Sequence, residues 1–351
     1  MVIRSITNLD LDKISNFLSI ETNADVKLYK KIFGYWWFDN PAYKKGQKKG
    51  YILYDEKLDE IFGFIGLYPT YFISNKKQKI VFNLTNWRVN EKYRYYSLEL
   101  LLKCLKHDNE TLLFNTTPTE KVKKILEKLQ FSKFPNINDK NYYLVTNTFN
   151  IIKKNTFWLP RISFTKPLFK FLDKFYFYTS IKQNLLKNSK VKLIKQLDDD
   201  FIKLWDKNFM KYGNTTDRSL ISLKWYYFHE AIKEKFFLFG FYLNDSLVGF
   251  ISFNKQGNHL VCIDCFCNQK DEDIVTNSME YIYNFSRKNN FDLVIYPKFV
   301  ERSDRKIQKT KLLYKHKKSE EDSRYYLFCK SHYRFDNDNS YLTFSSGDYG
   351  L

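Results

Sequence analysis

The sequence has few of the residues that build disulfide-bonded or metal-bound proteins. Only five of its 351 residues are cysteines and only five are histidines, and the histidines are scattered singly. No hydrolase-type serine or cysteine motif, zinc-finger spacing or aromatic RNA-recognition signature is present. No apolar run approaches the roughly 18 residues of a membrane-spanning helix, and no signal-peptide pattern occurs. We therefore expect a reduced, cytoplasmic protein.

Three of the cysteines lie close together, at Cys262, Cys265 and Cys267. The segment around them reads as one strand, in which alternate residues face opposite sides. Cys265 and Cys267 can share a face, but Cys262 cannot join them. We therefore predict that the protein binds no metal.

Acidic residues are scarce relative to basic ones. There are 58 lysines and arginines against 39 acids, which gives a formal net charge of +19. This charge suits nucleic acid, an anionic membrane surface or an anionic substrate, although compositional bias alone also explains abundant lysine. Because no nucleic-acid motif is present, we predict that nucleic acid is not a partner.

Residues 153–190 concentrate the basic charge. They carry nine basic side chains against one acid, Asp173, and are rich in phenylalanine and leucine. One interpretation is a helical hairpin packed between two domains. The other is a peripheral contact with an anionic membrane, with aromatic side chains inserted and lysines at the headgroups.

Residues 81–131 read as strand, turn, helix, strand and helix in unbroken order. The turn, residues 89–97, leads into a helix start, whose unpaired N–H groups and positive dipole suit a phosphate. Arg94 adds a positive charge there. An ordinary strand-to-helix connection with a solvated arginine is the alternative. The helix after the turn has one apolar stripe, formed by Leu98, Leu101, Leu102 and Leu105.

The second helix of this unit has three agreeing start signals. Thr117 is a candidate cap, Pro118 fits the first helical position, and Glu120 closes a capping box. The short apolar residues 111–115 before it predict a buried strand. Because the links are short, the two strands of the unit must run parallel.

This unit resembles the GNAT (Gcn5-related N-acetyltransferase) superfamily of acyl-CoA-dependent acyltransferases. The family reads V-x-P-x-x-R-x-x-G-x-G/A before its third helix, which Val89, Arg94 and Ser97 match, while Glu99 replaces the second small residue. On the fourth helix, Leu126 stands where many members have a tyrosine acid. The resemblance implies an acyl-CoA donor and no metal, without the usual proton donor.

The element order then repeats. Residues 236–253 read as a hairpin like that of residues 50–67, and the phrase Gly-Phe-Ile occurs at Gly63 and again at Gly249. A strand, a helix, a strand and a strand-like segment follow, at residues 260–267, 273–287, 291–296 and 325–329. We predict an α/β (α+β) protein with two tandem GNAT-like domains, each a mixed, mostly antiparallel twisted sheet flanked by helices. The predicted N-terminal domain, linker and C-terminal domain are residues 1–150, 151–190 and 191–351.

The two copies are not equivalent. The second copy has Asp271, Glu272 and Asp273 around its helix start and no arginine there, and these acids would repel a pyrophosphate. We therefore expect the donor in the first copy, with the second copy structural or contacting the acceptor.

The resemblance also implies site residues. In the family, the strand before the turn bulges and opens, and a backbone N–H, here near Arg88 or Val89, polarises the thioester carbonyl. The implied donor-binding residues are Arg88, Val89, Arg94, Tyr95, Tyr96, Ser97, Leu98, Asn115 and Thr117. The implied catalytic residues are Asn86, Trp87 and Asp264. The implied acceptor-binding residues are Trp36, Trp37, Asn40, Thr85 and Asp348. A core aromatic is the alternative for Trp87, and a hydrogen-bonded strand residue is the alternative for Asp264.

The C-terminal residues 341–351 resemble the tails of two-domain GNAT-like acyltransferases encoded with bacterial surface-polysaccharide genes. This likeness implies N-acylation of a nucleotide- or lipid-linked amino sugar in the cytoplasm, with peripheral contact at the inner face of the membrane. Two alternatives stay open. One is a FemABX-like transferase that moves an amino acid from aminoacyl-tRNA to a cell-wall precursor. The other is a non-catalytic membrane- or nucleic-acid-binding protein on the same scaffold.

Overall fold

Two mixed, mostly antiparallel β-sheets flanked by helices form the centre of the chain, which we describe from a computed structural model. The structure describes residues 1–106, 112–116, 118–133, 140–155, 165–180, 188–267, 274–297, 313–317, 328–330, 340–341 and 343. This architecture confirms the predicted fold class.

Strands and helices are numbered in chain order. The strands of the first sheet are β1 (Val2–Ser5), β2 (Gly50–Asp55), β3 (Glu60–Ser74), β4 (Lys77–Val89), β5 (Leu112–Asn115), β6 (Ser132–Lys133), β9 (Asn214–Thr216), β15 (Phe328–Lys330) and β16 (Ser340–Tyr341). Those of the second sheet are β7 (Lys140–Val145), β8 (Ser189–Ile194), β10 (Phe236–Leu243), β11 (Ser246–Gln256), β12 (His259–Cys267), β13 (Leu293–Pro297) and β14 (Leu313–Lys317).

The α-helices lie on the faces of these sheets. They are α1 (Leu11–Thr22), α2 (Val26–Phe33), α3 (Ser97–Leu105), α4 (Glu120–Lys128), α5 (Thr148–Asn155), α6 (Thr165–Ser180), α7 (Asp199–Asn208), α8 (Leu220–Phe228) and α9 (Ile274–Lys288). A π-helical turn, Gly34–Phe38, continues α2. None of the described helices combines the length and the apolar character needed to span a membrane.

Both predicted hairpins are confirmed, as β2–β3 and β10–β11, and so is the parallel pairing of β4 with β5. The start of α4 differs from the prediction. Thr119 has extended backbone angles, and its hydroxyl accepts the N–H of Val122 at 3.4 Å. Thr119 is therefore the cap, two residues later than the predicted Thr117, which itself lies outside the described residues.

The two halves of the chain exchange strands. β7, from the first half, lies between β13 and β14 in the second sheet. In return β15, from the second half, lies between β5 and β6 in the first sheet. Each sheet therefore needs both halves to be complete. The predicted domain boundaries at residues 150 and 190 stay predictions. β7 and β15 each pair with strands from the other side of these boundaries.

The long strand β3 extends beyond β2, and other groups cover its free edge. The carbonyl of Leu67 accepts Trp37 Nε1–H at 2.8 Å, and the carbonyl of Pro69 accepts Asn40 Nδ2–H at 2.8 Å. Further along, β9 pairs with the end of β3. A strand edge exposes unpaired backbone groups, which are costly when buried. The predicted acceptor residues Trp37 and Asn40 therefore serve the fold.

A buried ion pair joins the first sheet to the second. Arg218, directly beyond β9, forms a bidentate pair with Asp264 on β12, with Nε–Oδ2 and Nη2–Oδ1 distances of 2.9 Å. Both side chains are 1% exposed. The other guanidinium N–H groups bond Thr215, the carbonyl of Thr216 and Thr343, so that all five donors are used. Asp264 raises the pKa of Arg218 against the opposing effect of burial.

We predict that Arg218→Met destabilises the protein by about 3–5 kcal/mol, because the Asp264 carboxylate would be left buried and uncompensated. The shift in the midpoint of urea unfolding measures this loss. The double variant Arg218→Met/Asp264→Leu removes both charges and should recover most of the stability. An Arg218→Met variant within about 1 kcal/mol of the wild type would contradict the role given to this pair.

A second, smaller charge cluster fixes the N-terminus. Asp10 lies beside β1, accepts two bonds from Arg4 at 2.6 and 2.8 Å, and accepts the Thr7 N–H at 2.8 Å. Burial raises the pKa of Asp10, but the hydrogen bonds from Arg4 and Thr7 outweigh it and lower the pKa to about 2. Because this pKa lies below the usual 3.8, the carboxylate stabilises the fold above about pH 4.

We predict that the stability contributed by Asp10 is lost as the pH falls from about 4 to about 2. Asp10→Asn should cost about 1–2 kcal/mol at pH 7 and should flatten the stability curve in that window. Urea unfolding at several pH values measures both effects. Asp12→Asn, at a carboxylate that is 78% exposed, is the control and should change neither. An unchanged acid limb in Asp10→Asn would refute the assignment.

Candidate functional site

The first sheet opens between β4 and β5. Among the described residues, the two strands pair only through Val81–Leu112, Phe82–Leu113 and Asn83–Phe114. β4 then continues to Val89, whereas β5 ends at Asn115 and pairs on its other side with β15. The far half of β4 therefore faces an opening on the side that β5 has left.

A β-bulge lies at this opening. Gly66 pairs with Thr85 and Phe64 pairs with Arg88, so that Asn86 and Trp87 together oppose one residue of β3. Asn86 has a φ of 47°, in the left-handed region that few residues other than glycine and asparagine adopt. Such bulges re-aim side chains and are common beside active sites.

Gly66 permits the bulge because it has no side chain. A Cβ at this position would meet Thr85 Cγ2 at 2.8 Å, which is closer than real contacts allow. The matching residue of the second copy is Ser252, three residues beyond Gly249, and the register of β11 and β12 also shifts there, between Ser252 and Phe253. Gly66 was not among the residues predicted from the sequence.

Two polar atoms at the opening lack hydrogen-bond partners in the part of the chain that the structure describes. They are Trp87 Nε1 and Asn115 Oδ1, and both are buried. Asn115 lies two residues after Leu113, on the sheet face that carries the cluster of Leu84, Leu113 and the α3 leucines. Trp87 packs against the same cluster. Since buried polar groups are nearly always paired, the two atoms suit a ligand.

The backbone of β4 offers a donor to the same opening. The N–H of Asn90 donates to the carbonyl of Phe62 on the β3 side at 2.8 Å. Because successive N–H groups of an extended strand point to opposite edges, the N–H of Val89 points toward the opening. Of the two positions implied by the resemblance, this geometry favours Val89 over Arg88.

The segment predicted as a turn is mostly helical. A 3₁₀-helix, Glu91–Tyr96, begins after the cap Asn90 and runs into α3, whose first N–H, from Ser97, donates to the carbonyl of Arg94. The helix therefore starts after Asn90 and not at Ser97, where the sequence had suggested its start. In this first turn the N–H of Lys92 already donates to Asn90 Oδ1 at 3.2 Å, and the N–H of Tyr93 donates to the Asn90 carbonyl at 2.9 Å. The asparagine cap displaces the helix start, because its side chain accepts the N–H of Lys92.

Polar and aromatic side chains surround this helical entry. Arg94 is 69% exposed and pairs with Glu91 at 3.2 Å. Tyr95 and Leu98 are also exposed, and Tyr96 packs on Tyr95 with ring centroids 4.4 Å apart. The surface therefore presents a cation and apolar groups next to the opening.

The other predicted residues lie in different surroundings. Trp36 is buried and stacks on Tyr68, with ring centroids 5.9 Å apart. Thr85 is buried beside the bulge, and Asn86 Nδ2 lies 3.5 Å from its hydroxyl. Asp264 is held in the ion pair with Arg218, which favours a structural role over catalysis. Asp348, like Thr117, lies outside the described residues.

The second sheet has a comparable opening that its own side chains fill. β12 and β13 pair from His259 to Val261 and then separate. There Arg218 binds Asp264, Tyr227 donates to Asp264 Oδ2 at 3.2 Å, and the Tyr341 hydroxyl donates to the carbonyl of Cys265. Neither Arg218 nor Tyr227 was predicted from the sequence, because no local pattern marks a partner that lies 46 or 37 residues away.

Solved structures have a similar fold. A probable N-acyltransferase of unknown function from Enterococcus faecalis V583 aligns with a TM-score of 0.57 and 7% identity, over 94% of this chain and 72% of its own. Saccharomyces cerevisiae N-myristoyltransferase with bound myristoyl-CoA gives 0.56 and 12%, over 99% and 83%. A GCN5-related N-acetyltransferase from Anabaena variabilis ATCC 29413 gives 0.53 and 10%, over 93% and 72%.

The chain has the GNAT-type fold. No protein-family model and no curated protein matches the sequence. At 7–13% identity these structural likenesses show the fold, and any activity has to be argued from the site.

We predict that Asn115→Leu changes the free energy of unfolding by less than about 1 kcal/mol, because the buried amide oxygen has no partner to lose. Asn83→Leu is the matched comparison. Asn83 Nδ2 donates to Thr70 Oγ1 at 3.0 Å, so its loss should cost about 1–3 kcal/mol. Urea unfolding of both variants measures the difference. Equal losses would show that Asn115 is a structural residue.

Proposed function

We propose that the protein is an acyl-CoA-dependent N-acyltransferase whose donor lies in the opening between β4 and β5. The observation that carries the proposal is the bulged opening, with its unpartnered Trp87 Nε1 and Asn115 Oδ1. The pantetheine arm of coenzyme A carries amide N–H and C=O groups, so it can pair with such atoms as a strand would.

The reaction joins an acceptor amine to the acyl group. The amine nitrogen attacks the thioester carbonyl carbon, the C–N bond forms, and the C–S bond breaks. The sulfur leaves as the thiolate, and the proton released by the amine balances its charge. The Val89 N–H is placed to stabilise the negative charge on the carbonyl oxygen. Positioning of the two substrates supplies much of the remaining rate.

The diphosphate of the donor is assigned to the segment that begins at Asn90. Arg94 lies within this segment, and its pairing with Glu91 is an exposed ion pair of the kind that contributes about 0–1 kcal/mol. A diphosphate carries more charge than one carboxylate and can replace Glu91. Exposed Tyr95 and Leu98 offer apolar contacts to the rest of the donor.

We further propose an amino sugar, nucleotide- or lipid-linked, as the acceptor in surface-glycan biosynthesis. The support for it is the resemblance of residues 341–351 to the tails of such acyltransferases. A FemABX-like aminoacyl transfer is the second candidate, because the net charge of +19 suits a tRNA-borne donor.

We predict that acyl-CoA binds and that Asn115→Leu weakens it about tenfold, which corresponds to one lost hydrogen bond of about 1.4 kcal/mol. Arg94→Ala should weaken acyl-CoA more than an acyl-pantetheine that lacks the diphosphate. Isothermal titration calorimetry measures both. Lys203→Ala removes a cation from another exposed pair three residues apart and is the matched control. Unchanged donor affinity in both site variants would refute the proposed site.

The two candidate functions differ in their donor. Micromolar binding of acyl-CoA, followed by mass spectrometry of acylated amino sugars, supports the first. Salt-sensitive tRNA binding without coenzyme A binding supports the second. If the protein binds neither acyl-CoA nor tRNA, a non-catalytic scaffold is favoured.

A further inference from the structure

Helix α6 packs on the protein along one face only. Its buried residues Asp173 and Phe177 are four positions apart, and Phe177 stacks on Tyr283 of α9 with ring centroids 4.3 Å apart. Asp173 accepts the N–H and hydroxyl of Thr148 on α5, and its carbonyl accepts the Tyr283 hydroxyl at 3.1 Å. One face of α6 is therefore firmly attached.

The opposite face of α6 is apolar and exposed. With 100° between successive residues, four large side chains form a single stripe that points away from the buried face. Their exposed fractions lie between 45% and 65%. These residues are Leu168, Phe171, Leu172 and Phe175. A soluble helix normally turns charged residues outward, so a contiguous stripe of this kind marks an interaction surface.

Among the described side chains of α5 and α6, the exposed charges are all basic. Lys174 is exposed on one flank of the stripe, Lys170 is exposed further round the helix toward the attached face, and Lys153 is exposed near the end of α5. Asp173 is the only acid within residues 153–190, and it faces inward to Thr148. The outward surface of this segment is therefore cationic around an apolar centre.

We propose that this face of α6 binds an anionic membrane surface, with the phenylalanine and leucine side chains in the acyl boundary and the lysines at the headgroups. A second copy of the chain is a poorer occupant. An antiparallel twofold contact along the stripe would bring the flank that carries Lys174 onto the same flank of the second copy, and like charges there repel. The surface rests on observations separate from those of the donor site.

The experiment is co-sedimentation of the full chain with two kinds of liposome, one of phosphatidylcholine alone and one of phosphatidylcholine mixed with anionic phosphatidylglycerol. We expect binding to the anionic liposomes that weakens with salt, and little binding to the neutral ones. Lys170→Ala/Lys174→Ala should bind about thirtyfold more weakly, since each lysine contributes about 1 kcal/mol. Leu168→Asp and Phe171→Asp should each reduce binding at least about tenfold.

Matched controls come from the same chain. Lys27→Ala/Lys31→Ala removes two exposed lysines with the same spacing from α2, and Leu58→Asp changes a leucine that is 58% exposed, as Leu168 is 56% exposed. Both controls should bind liposomes like the wild type. Equal losses in variants and controls, or equal binding to neutral liposomes, would overturn the proposal. So would a dimer in sedimentation equilibrium that Phe171→Asp dissociates.

Discussion

The buried pair of Arg218 and Asp264 holds the two sheets in one arrangement, because each partner is anchored in a different sheet. Arg218 follows β9, which extends the first sheet, and Asp264 lies on β12 of the second. A buried charge without its partner is strongly unfavourable. If the sheets separated, Arg218 or Asp264 would become exposed to solvent or would stay buried and unpaired. The exchanged strands β7 and β15 also hold the two sheets together, because each half of the chain completes the sheet of the other.

The same pair marks a structural difference between two similar sheets. Where β12 leaves β13, the guanidinium of Arg218 and the ring of Tyr341 fill the space, with the arginine 5.2 Å from the ring centroid. Where β4 leaves β5, the neighbouring Gly66 has no side chain, and the polar atoms of Trp87 and Asn115 have no described partner. Side chains close one opening, and the other is the opening to which we assign the proposed donor. This asymmetry agrees with the acids that the sequence places at the second helix start.

Features that depend on local pattern could be predicted from the sequence. The two hairpins, the parallel pairs and the repeated order follow from hydrophobic period and short links, and the structure contains them. Features that depend on distant partners could not. Nothing near Lys140 indicates that β7 joins the other sheet, and nothing near Arg218 indicates a partner 46 residues away. The predicted helix starts were wrong for a different reason. Thr117 competes with Thr119 at the start of α4, and Ser97 competes with Asn90 before α3, and local sequence alone does not rank such caps.

The rigid connections of α6 give the membrane proposal a geometric consequence. The strand β7 leads into α5. Directly after β7, Thr146 Oγ1 donates to the carbonyl of Phe291, and within α5 Asn150 Nδ2 donates to Asp292 at 2.8 Å; both acceptors directly precede β13. α5 is thereby fixed to β13, α6 is fixed to α5 through Asp173, and the second sheet is fixed to the first through Arg218. A surface bound by α6 would therefore meet the donor opening at one orientation. Such a constraint suits an acceptor that is itself held at a membrane, because orientation is then settled before the substrates meet.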